Sequence, residues 1–253
     1  MKFRQYSSVF LVLLASSAHA FDLGDIKKEL GTLNQSPSTA PAASPSALSG
    51  FSNQDQVSGL KQALTQGAES AVASLSKENG FLGNDKVRIP LPGSLQKAGE
   101  LMHTLGMGKY ADDLETSMNR AAEAAVPEAK TLMVAAVKNM SVSDAKGILM
   151  GGNDAATQYF RRNTETALSE KFRPIVASSM QKVNLAEKYD QFAGKGAKLG
   201  LIDQKDANLN DYITRKAMDG LFVMMAEEEK AIRANPMQAA GSLAQKVFSA
   251  IKP

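Results

Sequence analysis

The chain has no cysteine among its 253 residues. Disulfides, thiolate metal sites, iron–sulfur clusters and cysteine nucleophiles are therefore excluded. Histidine occurs only twice, and one of the two, His19, lies in a predicted leader, so a site needing two histidines from one mature chain is excluded as well. Charge is nearly balanced, with 29 basic and 26 acidic residues. Nucleic-acid binders normally show a clustered basic excess, and we expect no nucleic-acid partner.

Sequence motifs for common cofactors are also missing. There is no phosphate-binding loop, no dinucleotide-binding glycine pattern and no nucleophile elbow. The methionines recur at helical core spacing rather than in dense clusters, which favours packing over metal binding. We therefore expect no cofactor and no metal.

The first twenty residues have the pattern of a secretory signal peptide. Lys2 and Arg4 precede an apolar stretch, and Ala18-His19-Ala20 fits the small-x-small cleavage rule. The apolar stretch is about half the roughly 20 residues that a membrane-spanning helix needs. We expect cleavage after Ala20, a periplasmic location and no transmembrane segment in the mature chain.

Two segments separate this leader from the main domain. Residues 21–33 are amphipathic, with leucine and isoleucine near one helical face. Residues 34–50 are uncharged and rich in Ser, Pro and Ala, which is typical of a flexible linker. The predicted organisation is a signal peptide at 1–20, a short helix at 21–33, a linker at 34–50 and a helical domain at 51–253.

From residue 51 onward, apolar residues recur three or four positions apart, as on the buried face of a helix. No convincing hairpin pattern appears, and the prolines in residues 87–92 bar that stretch from a central strand, so we expect a rigid extended loop there. The pattern predicts an all-α fold, a single bundle-like domain of about eight to ten helices.

Helix boundaries in the middle of the domain follow from capping residues. Ser143 is predicted to cap a short helix, and Asn153 or Asp154 to cap the long segment that follows. Pro174 is predicted to start another helix, because proline is favoured in a first turn.

Four stretches together resemble a known family. They are GFLGNDKVRIPLPGSL (80–95), SMNRAAEAAVPEAK (117–130), NDAATQYFRR (153–162) and DYITRKAMDGLFVMMAEEEKAIRANP (211–236). From about residue 51 to residue 248, the chain resembles the bacterial family catalogued as domain of unknown function 4197. The resemblance implies an all-helical fold behind a signal peptide, and it carries over no catalytic residue.

The segment NDAATQYFRR is a candidate ligand site. Arg161 or Arg162 beside Tyr159 could bind an anionic group, because the guanidinium is planar and bidentate, with Asp154 at the helix start. The alternative is a capped helix with a core aromatic and two solvated arginines.

A second candidate surrounds Pro127. A buried ion pair of Arg120 with Glu123, or of Arg120 with Glu128, would be structural. Alternatively, the two carboxylates could be paired for acid–base work. The run Glu227–Glu229 fans around its helix, which favours a solvated face over an ion site.

By elimination, we expect a non-catalytic, exported helical binding or interaction protein of the bacterial envelope. Its partner would be an envelope protein or an apolar or anionic small molecule such as a lipid. One alternative is a hydrolase-like periplasmic enzyme, which requires Glu123, Glu128, Tyr159 and Arg161 to surround one cleft. Another is a purely structural envelope protein that makes its contact through residues 22–33.

Overall fold

Helices and the loops between them make up the part of the chain that this computed structural model describes, residues 48–106, 108–181 and 208–251. They are α1 (Asn53–Leu75), α2 (Gly93–Thr104), α3 (Lys109–Ala125), α4 (Ala129–Lys138), α5 (Val142–Met150), α6 (Ala155–Met180), α7 (Leu209–Ala234) and α8 (Ser242–Ala250), with 3₁₀ turns at Val126–Glu128 and Pro236–Gln238. These ranges contain no strand, which confirms the all-α class.

Several predicted features lie outside the described residues. They are the signal peptide, the helix at 21–33 and the linker up to residue 47. At the end of the predicted linker, Leu48 is buried against the domain. Among the described helices, none combines the length and apolarity needed to cross a membrane.

Two helices begin with a capping box. Ser52 and Asp55 exchange side-chain and backbone hydrogen bonds at the start of α1. At α5 the cap is Ser141, so the prediction of Ser143 is wrong. Ser141 stands three residues before Asp144, the spacing that lets each side chain reach the other's backbone N–H. The hydrogen bonds from Ser141 hold the pKa of Asp144 below its usual value.

Helix α6 continues through Pro174, where the sequence predicts a new helix. Phe172 and Val176 are fully buried on either side of the proline, and their packing holds the two halves together. Two predicted helices are therefore one, and the helix count is lower there than predicted. Because proline has no N–H, the carbonyl of Glu170 lacks the donor that position 174 would otherwise supply.

Helices α6 and α7 form a central antiparallel pair. Arg161 near the start of α6 pairs with Asp219 at 3.2 Å, and Arg173 farther along pairs with Asp211 near the start of α7 at 3.2 Å. Helix α3 packs against both, while α1 packs against α4, α5, α7 and α8. The fully buried side chains between them include Phe81, Phe160, Phe172, Phe222, Met118 and Met133.

The first turn of α6 is capped from α7. Asp154 occupies the N-cap position but makes no side-chain capping bond. The Glu229 carboxylate instead accepts the backbone N–H groups of Ala156 and Thr157, each at 3.0 Å, and the Thr157 hydroxyl at 3.0 Å. A carboxylate at this position also interacts favourably with the positive end of the helix dipole.

Arg233 neutralises this buried carboxylate from one turn farther along α7. Its Nη2 lies 2.9 Å from Glu229 Oε1, and only 7% of Glu229 is exposed. The predicted solvated face is therefore wrong at Glu229. Glu227 is exposed and pairs with Lys86, as a surface carboxylate would.

We predict that Glu229→Ala destabilises the domain by about 3 kcal/mol, because it leaves a buried arginine and two helix-start N–H groups without their partner. Glu227→Ala on the same helix is the matched control and should change stability little, since its ion pair is solvent-screened. Urea unfolding followed by circular dichroism measures both. Equal effects of the two substitutions would contradict this role of Glu229.

Candidate functional site

One face of α3 holds the loop formed by residues 78–92. Asn119 is fully buried. Its Oδ1 accepts the Ile89 N–H at 2.9 Å, and its Nδ2 donates to the Ile89 carbonyl at 2.9 Å. Val87, Ile89 and Leu91 alternate with exposed residues and enter the core. The loop is therefore extended, as the prolines predict, and a side-chain amide satisfies its backbone.

Glu123, one turn after Asn119, also holds the loop at 78–92. Its carboxylate accepts the N–H groups of Phe81 and Leu82 at 3.0 and 3.3 Å, and Arg120 donates to it at 2.6 Å. Of the two pairs that the sequence allows for Arg120, the one with Glu123 forms. Glu128 is exposed in the 3₁₀ turn. Arg120 and Glu123 therefore organise the loop.

A glycine on α7 admits the aromatic residue of the same loop. A Cβ at Gly220 would lie 2.6 Å from Phe81 Cε1, so any larger residue would displace the ring from the core. The loop is thus fixed by polar contacts to α3 and by close packing on α7.

Tyr159 is a core residue with a satisfied hydroxyl. It is 5% exposed, and its Oη donates to the Ala136 carbonyl at 2.9 Å. Ala136 lies in the last turn of α4, where carbonyls lack helical partners, so this bond supplies a missing donor. Burial raises the pKa of the Tyr159 hydroxyl, and the charge of Asp144 raises it further.

The remaining candidates of this segment lie near the start of α6. Arg161 pairs with Asp219 and lies over the Phe222 ring, 4.5 Å from its centroid. Arg162 and Asp154 are both exposed, and Asp154 accepts a hydrogen bond from Gln158 at 3.2 Å. Of the seven candidate residues, the structure brings Arg120 and Glu123 into direct contact and gives the others separate surroundings.

A small apolar cavity lies between α1 and the central pair, beside Glu229. It is lined by Leu60, Leu64, Phe160, Met225, Ile232 and Phe248, among others, and its volume is about 20 Å³. That volume holds about one water molecule. Ligand pockets typically measure about 300–1,000 Å³, so this cavity is too small for a lipid chain.

A larger groove runs between the second half of α6 and the first half of α7, with a volume of about 870 Å³. We call it the α6–α7 groove. Its lining carries charges of both signs and several hydroxyls: Glu165, Thr166, Ser169, Glu170, Arg173, Asp211, Thr214, Arg215 and Met218. Both helices are long and packed on α3, so the side chains that line the groove rest on rigid elements.

The groove also contains an unsatisfied buried hydroxyl. Within the described ranges, two buried side-chain oxygens lack a hydrogen-bond partner, Thr214 Oγ1 and Asn210 Oδ1. Thr214 lines the groove and is only 2% exposed. Asn210 lies one helical turn earlier on the same face of α7. A buried polar atom without a partner costs about 1–3 kcal/mol, which makes this groove the strongest candidate binding site.

Sequence reasoning missed this groove. Its two sides are about 40 positions apart in the chain, and neither carries a recognisable motif. Pro174 is a local signal that could have indicated the groove. A proline inside a helix frees a carbonyl one turn earlier, here that of the groove-lining Glu170.

Comparison with known proteins gives one match. The family model described as "Protein of unknown function (DUF4197)" matches residues 50–249. No curated protein and no solved structure matches the chain.

We predict that Tyr159→Phe lowers the free energy of unfolding by about 1 kcal/mol at pH 7, because the Ala136 carbonyl loses its donor. The difference from wild type should shrink above about pH 10. There the unfolded wild-type chain loses the Tyr159 proton before the folded one does, so ionisation destabilises wild type alone.

Urea unfolding of both proteins at pH 7 and pH 10.5 measures this difference, in which other titrating groups cancel. A constant difference across this range would show that Tyr159 ionises equally in both states.

Proposed function

The chain belongs to the family described as "Protein of unknown function (DUF4197)", and we propose that it is an exported, non-catalytic helical binding protein of the bacterial envelope that uses the α6–α7 groove. The observation that carries the proposal is Thr214, a buried hydroxyl without a partner that lines the α6–α7 groove. Binding a ligand there would supply the missing hydrogen bond.

Export is supported by the sequence alone. A basic start, a short apolar stretch and a small-x-small site end at Ala20. The periplasm is the compartment in which such a protein of a bacterial envelope would act.

Binding is favoured over the hydrolase alternative because two of the polar side chains that a hydrolase would need are hydrogen-bonded within the fold. Glu123 holds the loop at 78–92, and the Tyr159 hydroxyl satisfies the end of α4. Glu128 lies exposed away from these contacts. A general acid or base must reach its substrate, and two of these groups are already committed to the fold.

The sizes and the polarity of the cavity and the groove also restrict the kind of ligand. The small apolar cavity beside Glu229 has room for about one water molecule, which gives little support to the expected lipid cargo. The groove is polar and lies within the size range of small-molecule sites. We therefore place the proposed ligand in the groove.

Export and binding can be tested together by expressing the full chain with its leader in a bacterial host. We predict a periplasmic protein whose intact mass corresponds to a start at Phe21, with a co-purified ligand visible by native mass spectrometry. Ser169→Trp, which fills the groove, should abolish the adduct. Ser249→Trp on the exposed face of α8 is the matched control and should keep it.

Retention of residues 1–20 would contradict export, and an adduct that survives Ser169→Trp would contradict the groove as the site. A wild-type protein without any adduct would favour the structural alternative. Deletion of residues 22–33 would then be expected to abolish retention in the envelope fraction.

A further inference from the structure

Hydrogen-bond acceptors without donors lie in the α6–α7 groove and next to it. Thr214 Oγ1, in the groove lining, and Asn210 Oδ1, one turn earlier on α7, have no hydrogen-bond partner. The Glu170 carbonyl has lost the N–H that position 174 would donate, because that residue is proline. The Glu170 carboxylate is exposed and forms no ion pair with any residue that the structure describes.

The residues that line the groove also include more acidic than basic side chains. Three carboxylates line it, on Glu165, Glu170 and Asp211, against two guanidiniums, on Arg173 and Arg215. Arg173 pairs with Asp211 at 3.2 Å, and Arg215 lies 5.6 Å from the centroid of the Tyr212 ring. Glu165 is also paired, since Arg161 Nη1 lies 3.5 Å from its Oε1. Glu170 is therefore the lining carboxylate that makes no ion pair with a residue the structure describes.

A ligand that matches these groups must bring donors and a positive charge. An ammonium is compact and carries three donors, so it can reach a buried hydroxyl that a planar guanidinium would approach poorly. Met218 lines the groove beside Thr214 and offers an apolar wall for the alkyl stem of an amine.

We infer that the α6–α7 groove binds a primary ammonium group, carried by a small amine or by a lysine side chain. The ammonium donates to Thr214 and to the acceptors of Glu170, and the Glu170 carboxylate balances its charge. The inference rests on the proposed function, since it names the ligand class of the same groove.

Calorimetric titration of the mature chain, residues 21–253, at low salt tests the inference. Pentylamine and cadaverine at pH 7 should bind saturably. Pentanol lacks the charge and tetramethylammonium lacks N–H donors, so neither should bind. The peptide Gly-Lys-Gly with both termini blocked, and its acetyl-lysine form, separate a lysine side chain from a free amine as the source.

Two variants test the residues. Thr214→Val keeps the shape and removes the hydroxyl, and it should weaken amine binding by about tenfold or more, as expected for a hydrogen bond to a charged group. Its thermal midpoint should stay equal or rise, because an unsatisfied buried group is removed. Glu170→Gln, at an exposed position, should weaken binding about threefold. Thr65→Val on α1 lies outside the groove and serves as the matched control.

Binding of the amines, the lysine peptide or both, with losses in Thr214→Val and Glu170→Gln only, would support the inference. Absence of saturable binding, equal binding of pentanol, or full affinity in both variants would overturn it. If the amines fail while Ser169→Trp still removes the native adduct, the ligand class is wrong and the binding function stands.

Discussion

The burial of Glu229 against the first turn of α6 is the contact on which the geometry of the described fold depends. A helix start has four N–H groups without helical partners, and here a carboxylate from the neighbouring helix satisfies two of them. This contact and the pairs Arg161–Asp219 and Arg173–Asp211 all agree with one antiparallel register of α6 and α7. The walls of the groove are held in place by the same register.

Most polar side chains inside the domain serve the fold. Asn119 and Glu123 replace the strand or helix partners that the loop at 78–92 lacks, and Tyr159 does the same for the end of α4. Such groups are costly to bury unless each has its partner. Because their hydrogen bonds are already used, these side chains do not support a binding site, and the proposed ligand is placed between α6 and α7 instead.

The all-α class and the core spacing were predictable, because an i, i+3, i+4 pattern depends only on helix geometry. The structural pair of Arg120 with Glu123 was one of two possibilities, the other being Arg120 with Glu128, and sequence spacing alone did not choose between them. Glu229 could not be placed from sequence: its partners are about 70 residues away, and it looks the same as the exposed Glu227. Pro174 was misread because proline fits a first turn and a helix interior alike when tertiary packing compensates for the lost hydrogen bond.

Unsatisfied groups are informative here because of where they lie. An orphaned buried oxygen costs about 1–3 kcal/mol, a large part of a typical stability of about 5–15 kcal/mol. Within the described ranges, both such oxygens fall on one face of the first two turns of α7, and Thr214 lines the groove together with Arg173, the residue before Pro174. Valine at position 214 would avoid the cost without changing the shape of the side chain. Local cost at a groove, where the other buried side-chain polar atoms of the described residues have partners, is what supports the proposal that this groove binds a ligand.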